Sequence, residues 1–170
     1  MLAVLQGLTE FLPVSSSGHL LLPAALFGWQ DQGLTLDIAV HLGTLAAVIL
    51  YLRRDLMGLV AGSYKWLLKR EESYESRLAL KLIVATLPAG LAGLALRAVI
   101  EANARSLAIV AATSIIFAVL LWLADRSGAR RANAVPFSEL TVPGALFIGV
   151  AQAFALIPGT SRSGVTMTAA

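Results

Sequence analysis

The run EFLPVSSSGHL, residues 10–20, sets a carboxylate, a proline, three serines and a histidine inside an apolar neighbourhood. On its N-terminal side residues 1–12 are apolar but too short to cross a bilayer, and Pro13 disfavours a helical conformation at the residue before it. Ser15 to Gly18 interrupts the pattern again, and a second short apolar run continues to Phe27. Two half-helices around a polar break read as a re-entrant hairpin over residues 1–27. Such backbone is tolerated at membrane depth only when protein or a wet cavity surrounds it. The competing reading is one long helix kinked at Pro13.

Composition makes lipid the expected solvent. Of 170 residues, 58% are hydrophobic and 14% charged, with a mean hydropathy of +0.79. A soluble domain carries about a quarter charged residues. The net charge is +3, yet no lysine or arginine precedes Arg53, and most basic residues fall between apolar runs. Nucleic-acid binding calls for a basic stripe on a folded face and is not expected here. The absence of cysteine excludes disulfides and thiolate metal sites. The first residues show neither a basic region nor a cleavage pattern, so they are not read as a signal peptide.

A helix needs about 20 apolar residues to span hydrocarbon. Residues 34–52, 78–100 and 106–124 meet that length, and 141–158 meets it marginally, opening a second polar hairpin over 141–170. The intervening segment 53–77 carries six basic and four acidic residues and reads as a helix at the interface, with Trp66 at headgroup level. Residues 125–140 carry three basic residues and 101–105 only Arg105. Positive-inside counting therefore puts the two basic loops in the cytoplasm and residues 31–33 outside.

Shifted by 146 residues, the opening feature returns: VLQGLTEFLPVSSSG from Val4 overlies VAQAFALIPGTSRSG from Val150. Val4, Gln6, Ser15, Ser17 and Gly18 match Val150, Gln152, Ser161, Ser163 and Gly164, while Pro13 and Pro158 miss by one. An odd number of spans between the copies makes the second enter from the opposite side. The expected fold is an all-α polytopic membrane protein, an inverted-topology repeat with two re-entrant helix-break-helix hairpins meeting near the midplane. On this reading the second hairpin is expected to be truncated in this chain.

The polar residues of the two breaks form a chemical set. Gln6 and Glu10 share a helical face. Ser15, Ser16 and Ser17 can cap the next half-helix, whose N-terminus is an anion site, and His19 lies one turn on. In the second motif Gly159 permits close backbone approach, Ser161 and Ser163 repeat the capping, and Arg162 supplies a permanent cation for phosphate. Taken singly these residues have blander readings: serine and glycine for helix packing, Glu10 as a proton relay, Arg162 snorkelling or paired with Glu10. Their joint occurrence at both breaks favours a site for a phosphate-bearing ligand. Asp37 and His41, four apart on the first long span, read as a packing hydrogen bond ahead of a site role. Lys81 and Arg97 sit near span ends, and Pro88 is expected to kink its helix. There is no zinc motif, P-loop, dinucleotide fingerprint or nucleophile elbow.

QGLTEFLPVSSSGHL and PGTSRSGVT together resemble the two signature motifs of the bacterial undecaprenyl-pyrophosphate phosphatases of the bacitracin-resistance type. LDIAVHLGTLAAVILYLRRDL and KLIVATLPAGLAG extend the likeness along the chain. The family allows glutamate or glutamine at Gln6, which leaves Glu10 the one carboxylate of this motif. The resemblance implies hydrolysis of undecaprenyl pyrophosphate to the monophosphate and inorganic phosphate, recycling the lipid carrier of cell-wall synthesis. It implies a divalent cation, magnesium or calcium, and a plasma-membrane active site opening to the outer face. By motif position the active-site residues are Glu10, Ser16, His19 and Arg162, with Ser15, Ser17, Gly159, Thr160, Ser161 and Ser163 lining the substrate.

On chemical grounds Arg162 and the helix N-termini are expected to hold the terminal phosphate and Glu10 the cation. Ser16 attacks with His19 as base, or His19 activates a water. The partner is a polyprenyl pyrophosphate lipid, its tail lying along lipid-exposed helices. An inverted-repeat secondary transporter or polyprenyl-phosphate flippase is the rival reading, and a non-catalytic scaffold leaves the paired breaks unexplained. The family continues past its second motif, so the chain reads as a fragment. Were it whole, the return half of the second hairpin would have to come from another subunit, as in a homodimer.

Overall fold

With lipid as solvent, each polar break must find its hydrogen-bond partners inside the protein. The computed structural model describes residues 1–103, 106–128 and 139–170, and the regular elements among them are all helical. Helix α1 (Leu2–Thr9) stops ahead of Pro13, and the chain turns through residues 10–14. Ser15 then caps α2 (Ser16–Phe27), which Gly28 ends in the left-handed conformation. The two helices pack on one another across this turn, as in a helix-break-helix hairpin.

The second copy repeats the order. Helix α8 (Val142–Ala153) gives way to a tight 3-10 turn, Phe154–Leu156, then an extended stretch, then α9 (Arg162–Ala169) capped by Ser161. Ser15 Oγ accepts from the Gly18 N–H at 3.2 Å, and Ser161 Oγ accepts from the Gly164 N–H at the same distance. The neighbouring hydroxyls pair as well, Ser15 with Ser17 at 3.2 Å and Ser161 with Ser163 at 3.0 Å. The sequence repeat is therefore a repeat of cap geometry.

Between the hairpins lie α3 (Gly33–Tyr51), α4 (Arg53–Lys69), α5 (Tyr74–Ala95), the short α6 (Arg97–Asn103) and α7 (Leu107–Gly128). By length and composition α5 and α7 can each cross a membrane, and α3 with α4 forms an apolar pair bent by 73°. The bend falls at Leu52, where the apolar run meets Arg53, Arg54 and Asp55. Helix α5 starts four residues before the expected 78 because Ser73 and Ser76 form a capping box. It ends at Ala95, so the stretch to residue 100 belongs to α6, after a break at Leu96. Arg105, Arg130 and Arg131 lie outside the described residues.

Packing is inverted relative to a water-soluble domain. Ile83, Leu87, Leu91 and Leu94 on α5 and Ile115, Ile116 and Trp122 on α7 face outward, as lipid-facing helices require. The largest fully buried side chain is the amide Gln6. Helices approach through small residues: a Cβ on Gly149 of α8 would collide with the Ala85 carbonyl of α5.

Candidate active site

A turn at membrane depth exposes backbone carbonyls that a helix would have paired. At the first break the Leu12 carbonyl is one of these, and the second motif satisfies it. Ser163 Oγ donates to Leu12 O at 2.8 Å, and Ser161 Oγ lies 3.5 Å from the same oxygen. The second break is held from α7, where Thr113 donates to the Pro158 carbonyl and Ser114 to the Gly159 carbonyl at 2.9 Å. Gly159 has φ +89°, and a Cβ there would strike Thr113 and the Val110 carbonyl. The two breaks thus touch, backbone against cap.

Around that crossing the side chains gather on Glu10. Its Oε2 accepts from Gln6 Nε2 at 2.8 Å and from Ser16 Oγ at 2.7 Å, and His41 Nε2 of α3 lies 3.6 Å away. The Glu10 side chain is 20% exposed and Gln6 is wholly buried, so this carboxylate works in a partly desolvated setting. A cavity of about 570 Å³ opens beside it, lined in part by Glu10, His41, Gln152, Arg162 and Ser163. Ile38, Leu42, Leu45 and Val48, on the same face of α3 as His41, also line it. Arg162 is exposed, and among the described residues it makes no ion pair with Glu10 or any other carboxylate.

His19 is placed differently. Its Nδ1 lies 2.7 Å from the Ser15 carbonyl, which can only accept, so the ring hydrogen sits on Nδ1. The imidazole lines a second cavity of about 340 Å³, with Ser15, Ser114, Gly159 and Ser161 and an apolar stretch of α7. Of the residues singled out from sequence, Glu10 and Ser16 are in direct contact, and Arg162 and Ser163 share the Glu10 cavity. Ser15, His19, Gly159 and Ser161 share the other, Ser17 bonds to Ser15, and Thr160 is buried with an unpartnered hydroxyl. Ser16 Oγ donates its hydrogen bond to Glu10, and His19 bonds instead to the Ser15 carbonyl.

The family described as Bacitracin resistance protein BacA matches residues 1–170, the whole of this sequence. The chain belongs to that family. It is 53% identical over 169 residues to the undecaprenyl-diphosphatase of Saccharophagus degradans, covering 99% of this chain and 62% of the relative. The corresponding protein of Hahella chejuensis is 54% identical over 170 residues, 100% of this chain and 62% of the relative. That of Alcanivorax borkumensis is 50% identical over 170 residues, covering 63% of the relative. The chain thus spans a little under two thirds of the length of the curated relatives it matches.

Within this BacA-family chain, four polar residues that sequence reasoning left outside the candidate site lie against it. His41 touches Glu10, and Gln152, the repeat partner of Gln6, lines the same cavity. Thr113 and Ser114 hold the second break. Their signal was faint: polar side chains in spans, where a local hydrogen bond accounts for most of them.

Proposed function

We propose that the protein hydrolyses undecaprenyl pyrophosphate to undecaprenyl phosphate and inorganic phosphate. The observation that carries this reading is the 2.7 Å bond from Ser16 Oγ to Glu10 Oε2, beside a cavity that also holds the uncompensated Arg162. The cavity is shaped for an amphiphile. Glu10, Arg162 and Ser163 suit a pyrophosphate, and the apolar residues of α3 from Ile38 to Val48, about 15 Å long at 1.5 Å per residue, suit an isoprenoid tail.

In the mechanism supported by this geometry, Arg162 and the N–H groups at the starts of α2 and α9 bind the terminal phosphate. Glu10 accepts the Ser16 proton as Oγ attacks the terminal phosphorus. The bond from that phosphorus to the bridging oxygen breaks, and undecaprenyl phosphate departs. Water then cleaves the phosphoserine and releases inorganic phosphate. The alternative course is direct attack by a water that Glu10 or His19 deprotonates. Glu10 and the amide oxygen of Gln6 are hard donors of the kind magnesium accepts beside substrate phosphates, so the residues fit a divalent cation. Glu10 would hold it, and when bound it would neutralise phosphate charge. The family likeness implies an active site that opens to the outer side, where positive-inside counting also puts residues 31–33.

Release of inorganic phosphate from undecaprenyl pyrophosphate by the purified protein in detergent tests the proposal. Activity is expected in the wild type and a large loss in Glu10→Gln and Arg162→Ala with folding retained. Undiminished release in either variant, or none from the wild type, overturns it. The crossed breaks also suit a transporter or flippase, which would move the lipid intact and release nothing.

A further inference from the structure

Most polar side chains that line the Glu10 cavity are already committed within the protein. Glu10 Oε2 accepts from Gln6 and Ser16, and His41 sits between Glu10, 3.6 Å away, and the Asp37 carbonyl at 2.7 Å. Thr44 donates to the His41 carbonyl at 2.8 Å, and Ser163 donates to the Leu12 carbonyl at the same distance. Thr166 Oγ lies 3.0 Å from the carbonyls of both Arg162 and Ser163. Two donors without a partner among the described residues remain at this cavity, the Arg162 guanidinium and the half-buried amide of Gln152. The repeat explains the second. Gln6 and Gln152 hold one position in the two copies, and Gln6 commits its Nε2 to Glu10, four residues on. Four residues after Gln152 stands Leu156, whose side chain offers no acceptor. A half-buried amide left unpaired in this way is costly unless water or a ligand meets it.

We propose that Gln152 is a substrate ligand whose Nε2 donates to the phosphate that stays on the lipid. This rests on the phosphatase reading, in which Arg162 and the starts of α2 and α9 take the terminal phosphate. The lipid-linked phosphate then still needs a donor, and Gln152 is the one left at the cavity. An amide suits that place, because it offers two N–H groups and no charge. When the bridging bond breaks, negative charge moves onto the oxygen that leaves with this phosphate. A fixed donor beside it stabilises the departing group. Position 152 thus recognises the lipid phosphate separately from the terminal one.

Undecaprenyl phosphate and undecaprenol differ by that phosphate alone. Their affinities for the purified full-length protein in detergent, read by native mass spectrometry, therefore isolate the contact. The wild type is expected to bind the phosphate form more tightly. Gln152→Met keeps the length of the side chain without the amide. It should bind undecaprenyl phosphate roughly tenfold or more weakly, the scale of a hydrogen bond to a charged group, and undecaprenol as the wild type does. Gln152→Glu is nearly isosteric, sets a carboxylate against the phosphate, and should abolish the preference. It serves as the second variant if Gln152→Met does not fold. Equal affinity for the two lipids in the wild type, a preference that survives in either variant, or an equal loss for both lipids overturns the proposal. Phosphate release from undecaprenyl pyrophosphate, measured on the same samples, separates the two failures. Wild-type release with a surviving preference removes Gln152 as a ligand and leaves the phosphatase reading intact, whereas no wild-type release removes that reading.

Discussion

Ser16 and Arg162 occupy one position in two copies of the same motif. Each is the first residue of a helix, directly after a capping serine. The repeat supplies the scaffold twice and the chemistry once, a hydroxyl in one copy and a guanidinium in the other. Removing the hydroxyl in Ser16→Ala is expected to lower phosphate release by roughly 10²-fold or more, the scale on which a positioned proton transfer operates. A direct water mechanism would leave the rate nearly unchanged, so the same assay separates the two routes. Arg162→Lys keeps the charge but not the planar fork, and a loss on the order of 10²-fold is expected, since one well-placed donor contributes that much. Retained rates in Arg162→Lys would mean that charge alone is used there.

At the scale of elements, the decisive contacts are between breaks. Gly159 is held at φ +89° with Thr113 and Val110 against it, so Gly159→Ala meets both backbone strain and a collision. It should destabilise the protein by about 1–3 kcal/mol, visible as a lowered thermal midpoint in detergent. Ser163→Ala strips the Leu12 carbonyl of its shortest bond and should cost about 1–3 kcal/mol if no water replaces it. What sequence disclosed here was the existence of the breaks, because Glu10, the serines and Arg162 are out of place in lipid. Which group Ser16 bonds to was not legible. His19 is three residues along the same helix, whereas Glu10 reaches Ser16 across a turn whose path depends on packing with the other copy. The boundary at Leu52 was legible from the charges that begin at Arg53, whereas the break at Leu96 escaped, having neither glycine nor proline at the point of departure. Thr113 and Ser114 read as part of an apolar span because only the facing carbonyls give their hydroxyls a purpose.

For the whole molecule the question is how many times the chain crosses between its two hairpins, since an odd number inverts the second copy. Helices α5 and α7 count as two crossings by length, and α3 decides the parity. If α3 crosses and α4 then lies along the surface, as the 73° bend allows, the count is three and the repeat is inverted. If α3 and α4 enter and leave on one side, the count is two and the hairpins are parallel. The chain has no native cysteine, so single substitutions report sidedness without background. Gln30→Cys before α3, Glu71→Cys between α4 and α5, and Ser127→Cys at the end of α7 bracket the three helices. For the inverted arrangement Gln30→Cys is expected to react with an impermeant maleimide on intact cells, and the other two only after permeabilisation. The basic residues around Glu71 favour that orientation by positive-inside counting. Labelling of all three from one side would give an even count and remove the inverted repeat. The hydroxyl bonds from Ser161 and Ser163 to Leu12 would then be contacts between parallel hairpins, and the flippase reading would lose its symmetry argument.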